Sequence, residues 1–279
     1  MLLKGKPVAD KIKETIINEV EYYKNNGSIV PRIAILRMGQ RPDDISYESR
    51  VLKNCDAVGI EAEVIEENNS KTKNIIEILE KLNQNPKIHG ILIFRPLPKQ
   101  LDMEQISRAI LPEKDIDCMN PINIEKVFVG DKNGIAPCTP EAVIEILKHY
   151  KYDLNGKNVT IVNRSMVLGK PLSMLFLDEN ATVTICHSKT KDLSGITSKA
   201  DIIVTGVGKG KFFGPEFFSK ESIVIDVGIN FVNDSICGDV DFKAVSDKVG
   251  AITPVPGGVG TVTSMILLNH VIKAMKLQE

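Results

Sequence analysis

Short apolar runs alternating with segments of helical period constrain this chain more than any other feature. "RIAILRM" (residues 32–38), "EAEVIE" (61–66) and "HGILIF" (89–94) read as strands. Between and before them lie "VADKIKETIINEVEYYK" (8–24), "ISYESRVLKN" (45–54) and "NIIEILEKLNQ" (74–84), whose apolar residues recur at helical spacing. Strands that alternate with helices predict a parallel sheet covered by helices. The pattern breaks at the proline-rich "RPLPKQ" and at "PEKDIDCMNPIN" (112–123), which reads as irregular, and resumes after the helix "TPEAVIEILKHY". A second series then runs through strand "NVTIVN", helix "KPLSMLFLDE" and strands "ATVTIC", "DIIVTGV" and "SIVIDVG". The fold class expected is therefore α/β with two domains, residues 1–139 plus 262–279 and residues 140–261. The closing helix, "VTSMILLNHVIKAMKLQE", is long enough to pack back on the first of them.

Composition narrows the function. A chain of 279 residues with 35 basic and 36 acidic side chains carries a formal net charge of −1, which recruits neither a nucleic-acid backbone nor an anionic membrane surface. The five cysteines are scattered, with no C-x-x-C pair, so neither a disulfide framework nor a metal knuckle is expected and a reducing cytoplasm fits best. No run approaches the roughly 20 apolar residues of a membrane span, and the start has no continuous apolar core of a signal peptide. The whole chain is accordingly expected to be mature, soluble and cytoplasmic.

The turn after "NVTIV" brings Asn163, Arg164 and Ser165 to the carboxyl end of a strand, with Gly169 close to the next helix start. Such a turn aims backbone N–H groups and a positive helix end at a phosphate. Asn163 stands where a dinucleotide fold has its first glycine, and it tolerates left-handed backbone angles better than most residues. On glycine spacing alone, nucleotide binding and an ordinary strand-to-helix turn both stay open. A second strand ends in "CHSKT" without an acidic residue to take a ribose 2′-hydroxyl, so Arg164 and Ser188 favour a 2′-phosphate and hence NADP over NAD. His187 beside them reads as either a site residue or a loop histidine. "IDVGIN" ends a further strand at Gly228 and Ile229, where backbone can approach a nicotinamide or simply turn. "PVPGGVG" (254–260) puts Pro256, Gly257 and Gly258 in a glycine-rich segment at the start of the last helix.

With these pieces placed, the chain resembles the bifunctional methylenetetrahydrofolate dehydrogenase/methenyltetrahydrofolate cyclohydrolase family over nearly its full length. "GKPLSMLFLDENATVTICHSKT", "IVIDVGIN" and "ITPVPGGVGTVT" carry the resemblance, supported by "PLP" (96–98) and "PEKDID" (112–117). It implies a folate-binding catalytic domain over 1–139 plus 262–279, a Rossmann-like NADP-binding domain over 140–261, a homodimer, and a folate one-carbon unit as substrate. It assigns cofactor contacts to Asn163, Arg164, Ser165, Ser188 and Ile229. On the folate side it points to Tyr47, Val51, Phe94, Asp117, Pro256, Gly257 and Gly258, with Tyr47 and Asp117 as the catalytic pair; no metal is implied.

The departures matter more than the matches. The family places a lysine one helical turn after its tyrosine and a glutamine before "LPLP"; here those positions are Val51 and Phe94, followed by Arg95. Cys118 replaces the glycine after the aspartate, and Thr261 replaces the proline after "GGVG". Hydride transfer depends mainly on positioning and survives such losses. Ring hydrolysis needs proton transfer, for which a general acid–base group is worth roughly 10²–10⁴-fold. The expectation is an NADP-dependent dehydrogenase with weak or absent cyclohydrolase activity. The alternatives are a bifunctional enzyme in which Arg50, Lys53 or bound water substitutes for the lysine, a non-catalytic NADP-binding paralogue, and a dehydrogenase of another substrate whose anionic group pairs with Arg95.

Overall fold

The computed structural model describes residues 1–27, 29–68, 71–232 and 235–279. In chain order its elements are α1 (Gly5–Gly27), β1 (Arg32–Met38), α2 (Pro42–Asp56), β2 (Glu61–Glu67), α3 (Thr72–Gln84), β3 (Gly90–Ile93), α4 (Met103–Ala109) and α5 (Pro121–Val129). There follow α6 (Cys138–His149), β4 (Asn158–Val162), α7 (Gly169–Asp178), β5 (Thr182–Cys186), α8 (Leu193–Thr197), β6 (Ile202–Thr205) and β7 (Ile223–Asp226). The chain ends with the hairpin β8 (Asn230–Val232) and β9 (Ser235–Cys237), then α9 (Phe242–Val245), β10 (Ala251–Ile252) and α10 (Val259–Leu277). Two compact units result: Lys11–Pro137 with Ser264–Glu279, and Met1–Asp10 with Cys138–Thr263.

The first unit is built on a three-stranded parallel sheet in the order β2-β1-β3. β1 is central and buried almost throughout, which is why its sequence is a continuous apolar run rather than an alternation. α3 covers the sheet with Ile75, Leu79 and Leu82, spaced so that one face of the helix is apolar, and these residues join Leu36, Ile91, Ile93 and Ile106 in one core. Burying side chains of that size is worth about 1.5–3 kcal/mol each. The end of α10 packs here, as its length predicts: Lys273 Nζ donates to the Gly134 carbonyl at 2.6 Å and Gln278 Nε2 to that of His89 at 2.8 Å.

The second unit carries a five-stranded parallel sheet, β10-β7-β6-β4-β5. β4 is flanked by β5 on one side and β6 on the other, so successive connections leave it in opposite directions and open a crevice at its carboxyl end. Val162, Ile203, Val224 and Phe213 lie in the core of this unit.

Three details differ from the sequence expectation. The first ten residues belong to the second unit, because Leu2 and Leu3 add an extended segment beside β10: Leu3 N–H donates to the Ile252 carbonyl at 2.8 Å, and Ile252 N–H returns the bond to Met1 at 3.0 Å. Two residues are too short a run to read as a strand. The stretch expected to be irregular at 112–123 gives way to α5 at Pro121, whose start is capped by the Asn120 side chain accepting from Ile122 N–H at 2.8 Å. Beyond β7 the chain forms the β8–β9 hairpin, which no periodicity announced.

Candidate active site

On the first unit, α2 starts at Pro42, and Asp43 and Asp44 in its first turn suit the positive end of the helix. Tyr47 and Val51 lie one turn apart on it, as their spacing requires. Val51 is 3% exposed and Phe94, just past the end of β3, is 5% exposed. The Tyr47 and Phe94 rings pack with centroids 5.1 Å apart at a 50° tilt. An aromatic–aliphatic surface thus occupies the positions where the family has an amine and an amide. Arg50 is exposed, with its guanidinium 5.9 Å from the Tyr47 ring centroid, and Lys53 is exposed on another face of the helix.

Asp117 is positioned by a turn that its neighbour organises. Asp115 is buried and its carboxylate accepts from Met119 N–H at 3.0 Å, Asn120 N–H at 2.8 Å, Asn123 Nδ2 at 3.1 Å and Asp117 N–H at 3.3 Å. Burial pushes its pKa up, against the pull of those bonds. Within the turn Cys118 takes φ +54°, the left-handed region that a glycine enters freely and a side chain enters at a cost of roughly 1 kcal/mol. This is the backbone reason for the family's glycine. Burial raises the Cys118 thiol pKa, so it stays protonated and inert. Arg95 does not point away from this region: its Nη2 donates to Asp117 Oδ2, with both side chains about a quarter exposed. The D-x-D spacing of Asp115 and Asp117 is the sequence signal for a supporting carboxylate; the ion pair has none.

On the second unit, the turns after β4, β5, β6 and β7 share the carboxyl edge of the sheet, so Asn163, Arg164, Ser165, Ser188 and Ile229 come to one edge. Asn163 is not among the residues with positive φ, and its side chain rather than its backbone freedom is what the turn uses. Asn163 Oδ1 accepts from Ser165 N–H at 2.7 Å, Ser165 Oγ at 2.8 Å and Gly169 N–H at 3.0 Å, while Nδ2 donates to the Gly206 carbonyl at 2.5 Å. That amide ties the β4 turn to the β6 turn across the crevice. At Gly169 a Cβ would lie 1.9 Å from the Asn163 carbonyl oxygen, so only glycine lets the start of α7 close on the turn. Arg164 and Ser188 are exposed at the edge, and Ile229 is 63% exposed. His187 serves its own loop: its ring Nδ1 accepts from Lys189 N–H at 3.1 Å and its backbone N–H donates to Thr190 Oγ1 at 2.9 Å. Pro256, Gly257 (φ +97°) and Gly258 form the turn before α10, and Thr261 N–H donates to the Gly258 carbonyl at 3.1 Å, a bond that the family's proline cannot make. A helix start closed on a turn, a cation and hydroxyls at the edge, and no acidic residue at the end of β5 together fit a phosphorylated dinucleotide.

Among the described residues no cluster of histidine, cysteine and carboxylate side chains fits a metal ion, and no helix is long and apolar enough to cross a membrane.

Comparison with known proteins gives the family. The family described as the tetrahydrofolate dehydrogenase/cyclohydrolase catalytic domain matches residues 3–117, and its NAD(P)-binding domain matches residues 137–279. The bifunctional protein FolD of Clostridium botulinum (strain Langeland) is 54% identical over 98% of this chain and 97% of its own length; that of Clostridioides difficile is 53% identical over 99% and 97%. The crystal structure of the bifunctional FolD dehydrogenase/cyclohydrolase from Campylobacter jejuni superposes with a TM-score of 0.97 at 37% identity, covering 100% of this chain and 99% of the other. The Trypanosoma brucei enzyme, solved with NADP and an inhibitor, gives 0.93 at 31% identity, covering 99% and 97%.

Proposed function

The chain belongs to the tetrahydrofolate dehydrogenase/cyclohydrolase family, and on that premise we propose that it oxidises 5,10-methylenetetrahydrofolate to 5,10-methenyltetrahydrofolate with NADP while its cyclohydrolase activity is weak or lost. The observation that carries this reading is Val51, buried one turn from Tyr47, whose ring packs on the likewise buried Phe94.

When bound, NADP supplies the acceptor for the hydride that leaves the methylene carbon. The residues of the chain do the positioning. Tyr47 and Phe94 offer ring faces to the folate, and Asp117 accepts from the donors on the amino-pyrimidine edge of the pterin. A carboxylate has about four lone-pair sites, so Asp117 can accept from Arg95 and from the pterin together. Arg164, Ser165 and Ser188 hold the phosphates of the dinucleotide, with Asn163 setting the turn. None of this needs a protein base.

Hydrolysis of the methenyl carbon needs one, since water must lose a proton as it attacks and the ring nitrogen must gain one as the ring opens. Val51 and Phe94 have no group to do this. A guanidinium is no proton acceptor, which rules out Arg50 and Arg95 as the base, and Arg95 is already committed to Asp117. The homodimer that the resemblance implies and the cytoplasmic setting that the scattered cysteines favour complete the proposal; light scattering giving twice the chain mass for the purified protein would support the dimer, and the chain mass would overturn it.

The deciding assay supplies methylenetetrahydrofolate with NADP and separately with NAD, reads reduced cofactor and methenyl product independently, and then gives methenyl substrate alone. Methenyl accumulating in step with NADPH, with no hydrolysis above the uncatalysed rate, is the expected result. Rapid hydrolysis would overturn the cyclohydrolase half, and no turnover in any arm would overturn the dehydrogenase half.

A further inference from the structure

The turn after β6 reads "GVGKG" (206–210), a glycine-rich, lysine-bearing loop at a sheet edge, and its successive N–H groups converge as in an anion-binding nest. Its anion is the protein's own. Asp239, fully buried, accepts through Oδ2 from Val207 N–H and from Gly208 N–H at 3.1 Å, and through Oδ1 from Lys209 N–H at 2.9 Å and Asn230 Nδ2 at 2.9 Å. A second buried carboxylate stands behind it: Asp226 accepts from Asp239 N–H at 3.1 Å, Val240 N–H at 2.8 Å, Gly228 N–H at 3.0 Å and Thr205 Oγ1 at 3.2 Å. Gly228 is required by this arrangement, because a Cβ there would lie 2.3 Å from the Asp239 carboxyl carbon. The close approach at Gly228 is thus to Asp239.

We infer that Asp239 is a positioning residue for cofactor binding: its buried carboxylate fills the nest after β6, fixes the 206–209 turn against the crevice at β4, and so leaves the α7 turn as the site for the phosphates of the dinucleotide. The inference rests on the NADP reading above. It follows from placement, since this turn flanks the crevice and is tied to the β4 turn by Asn163. It follows also from chemistry, since an already filled nest cannot take a phosphate but can hold a rigid wall beside one.

Asp239→Asn tests it. Whichever way the amide turns, its NH₂ faces two of the four donors, so the turn loses its fixed form. NADPH fluorescence titration is expected to show binding weakened by about tenfold, the effect of losing one or two buried hydrogen bonds to a charged group. The Michaelis constant for methylenetetrahydrofolate at saturating NADP should stay within about twofold, as it would not if the whole protein loosened. A folded Asp239→Asn protein with a lowered melting temperature but wild-type NADPH affinity would show a merely structural carboxylate and overturn the inference. Gly208→Ala decides the matter if that variant does not fold. Gly208 sits at φ +68° and a Cβ there would meet nothing within 4 Å, so alanine strains the turn without a clash. Several-fold weaker NADPH binding by folded Gly208→Ala supports the inference, and unchanged binding overturns it. Wild-type protein that binds neither NADPH nor NADH would overturn the cofactor reading and this inference with it.

Discussion

Two turns of this molecule are built alike and used differently. At residues 115–120 and at 226–240 a buried aspartate gathers backbone N–H groups and holds a turn that presents other residues. In the second unit the held segment carries Asp239, which fixes the 206–209 turn, and Asn163 ties that turn to the β4 turn bearing Arg164 and Ser165. In the first, the frame around Asp115 stands, but Asp117 carries an arginine, and a buried valine and phenylalanine stand where the family has its lysine and glutamine. On the function proposed above, the difference teaches that a binding frame and its acid–base chemistry are separable: side chains differ from the family's at Val51 and Phe94 while the buried carboxylate of Asp115 still holds its turn.

Restoring the chemistry on the standing frame is the strongest challenge to that view. The double substitution Val51→Lys with Phe94→Gln places an amine one turn from Tyr47 in a dry setting, where desolvation lowers a lysine pKa toward the range of a useful base. Methenyl hydrolysis, followed by loss of methenyl absorbance, is expected to rise about 10²-fold over wild type, with the dehydrogenase rate changed far less. A double variant that folds and hydrolyses no faster would mean that the frame itself has lost the geometry.

Asp117→Asn comes next in size. An amide turns a donor toward the amino-pyrimidine donors, and a hydrogen bond to a charged group is worth about 1.5–3 kcal/mol, so the Michaelis constant for the folate should rise roughly 10- to 100-fold while NADPH affinity stays put. Arg95→Leu, which restores the residue that the family carries, acts on the same carboxylate with opposite sign. It frees Asp117 from a partly exposed ion pair, worth about 1 kcal/mol or less, so the folate constant should fall by up to about fivefold and lose some of its salt dependence. A rise instead would make Arg95 a direct folate contact.

How much of this was legible in the sequence follows from how local each signal is. β1, α3 and the parallel sheets announced themselves because periodicity is written along consecutive residues. The seat of Met1–Asp10 in the second unit did not, since it rests on backbone bonds from Leu3 to Ile252, and those leave no mark on side-chain pattern. Tyr47 and Val51 could be placed together because one helix turn fixes their relation. The pairing of Arg95 with Asp117 could not, because only tertiary structure joins positions 22 residues apart. At Asn163 the sequence suggests backbone tolerance, whereas the structure uses its amide, and the four bonds it makes reach residues 165, 169 and 206, the last far along the chain.

The smallest expected effect tests whether Asp226, a buried aspartate of the second unit, is a frame at all. Burial pushes the Asp226 carboxyl up to about 6, although the N–H groups of Val240, Asp239 and Gly228 pull it down; the nearby Asp239 charge adds to the rise. The unfolded chain has its ordinary value near 3.8. Below that both states hold the proton, and the group leaves stability unaffected by pH. Between about 4 and 6 the folded state keeps the proton that the unfolded state gives up, so unfolding becomes easier as pH rises; above 6 both are ionised and the loss is complete. Asparagine cannot ionise, so the stability of wild type minus that of Asp226→Asn, from urea unfolding, should fall across that window and flatten above it, whatever the offset between the two proteins. A difference that rises with pH would mean that the converging N–H groups outweigh burial, and Asp226 would then be a charge held by its turn rather than a turn held against a charge.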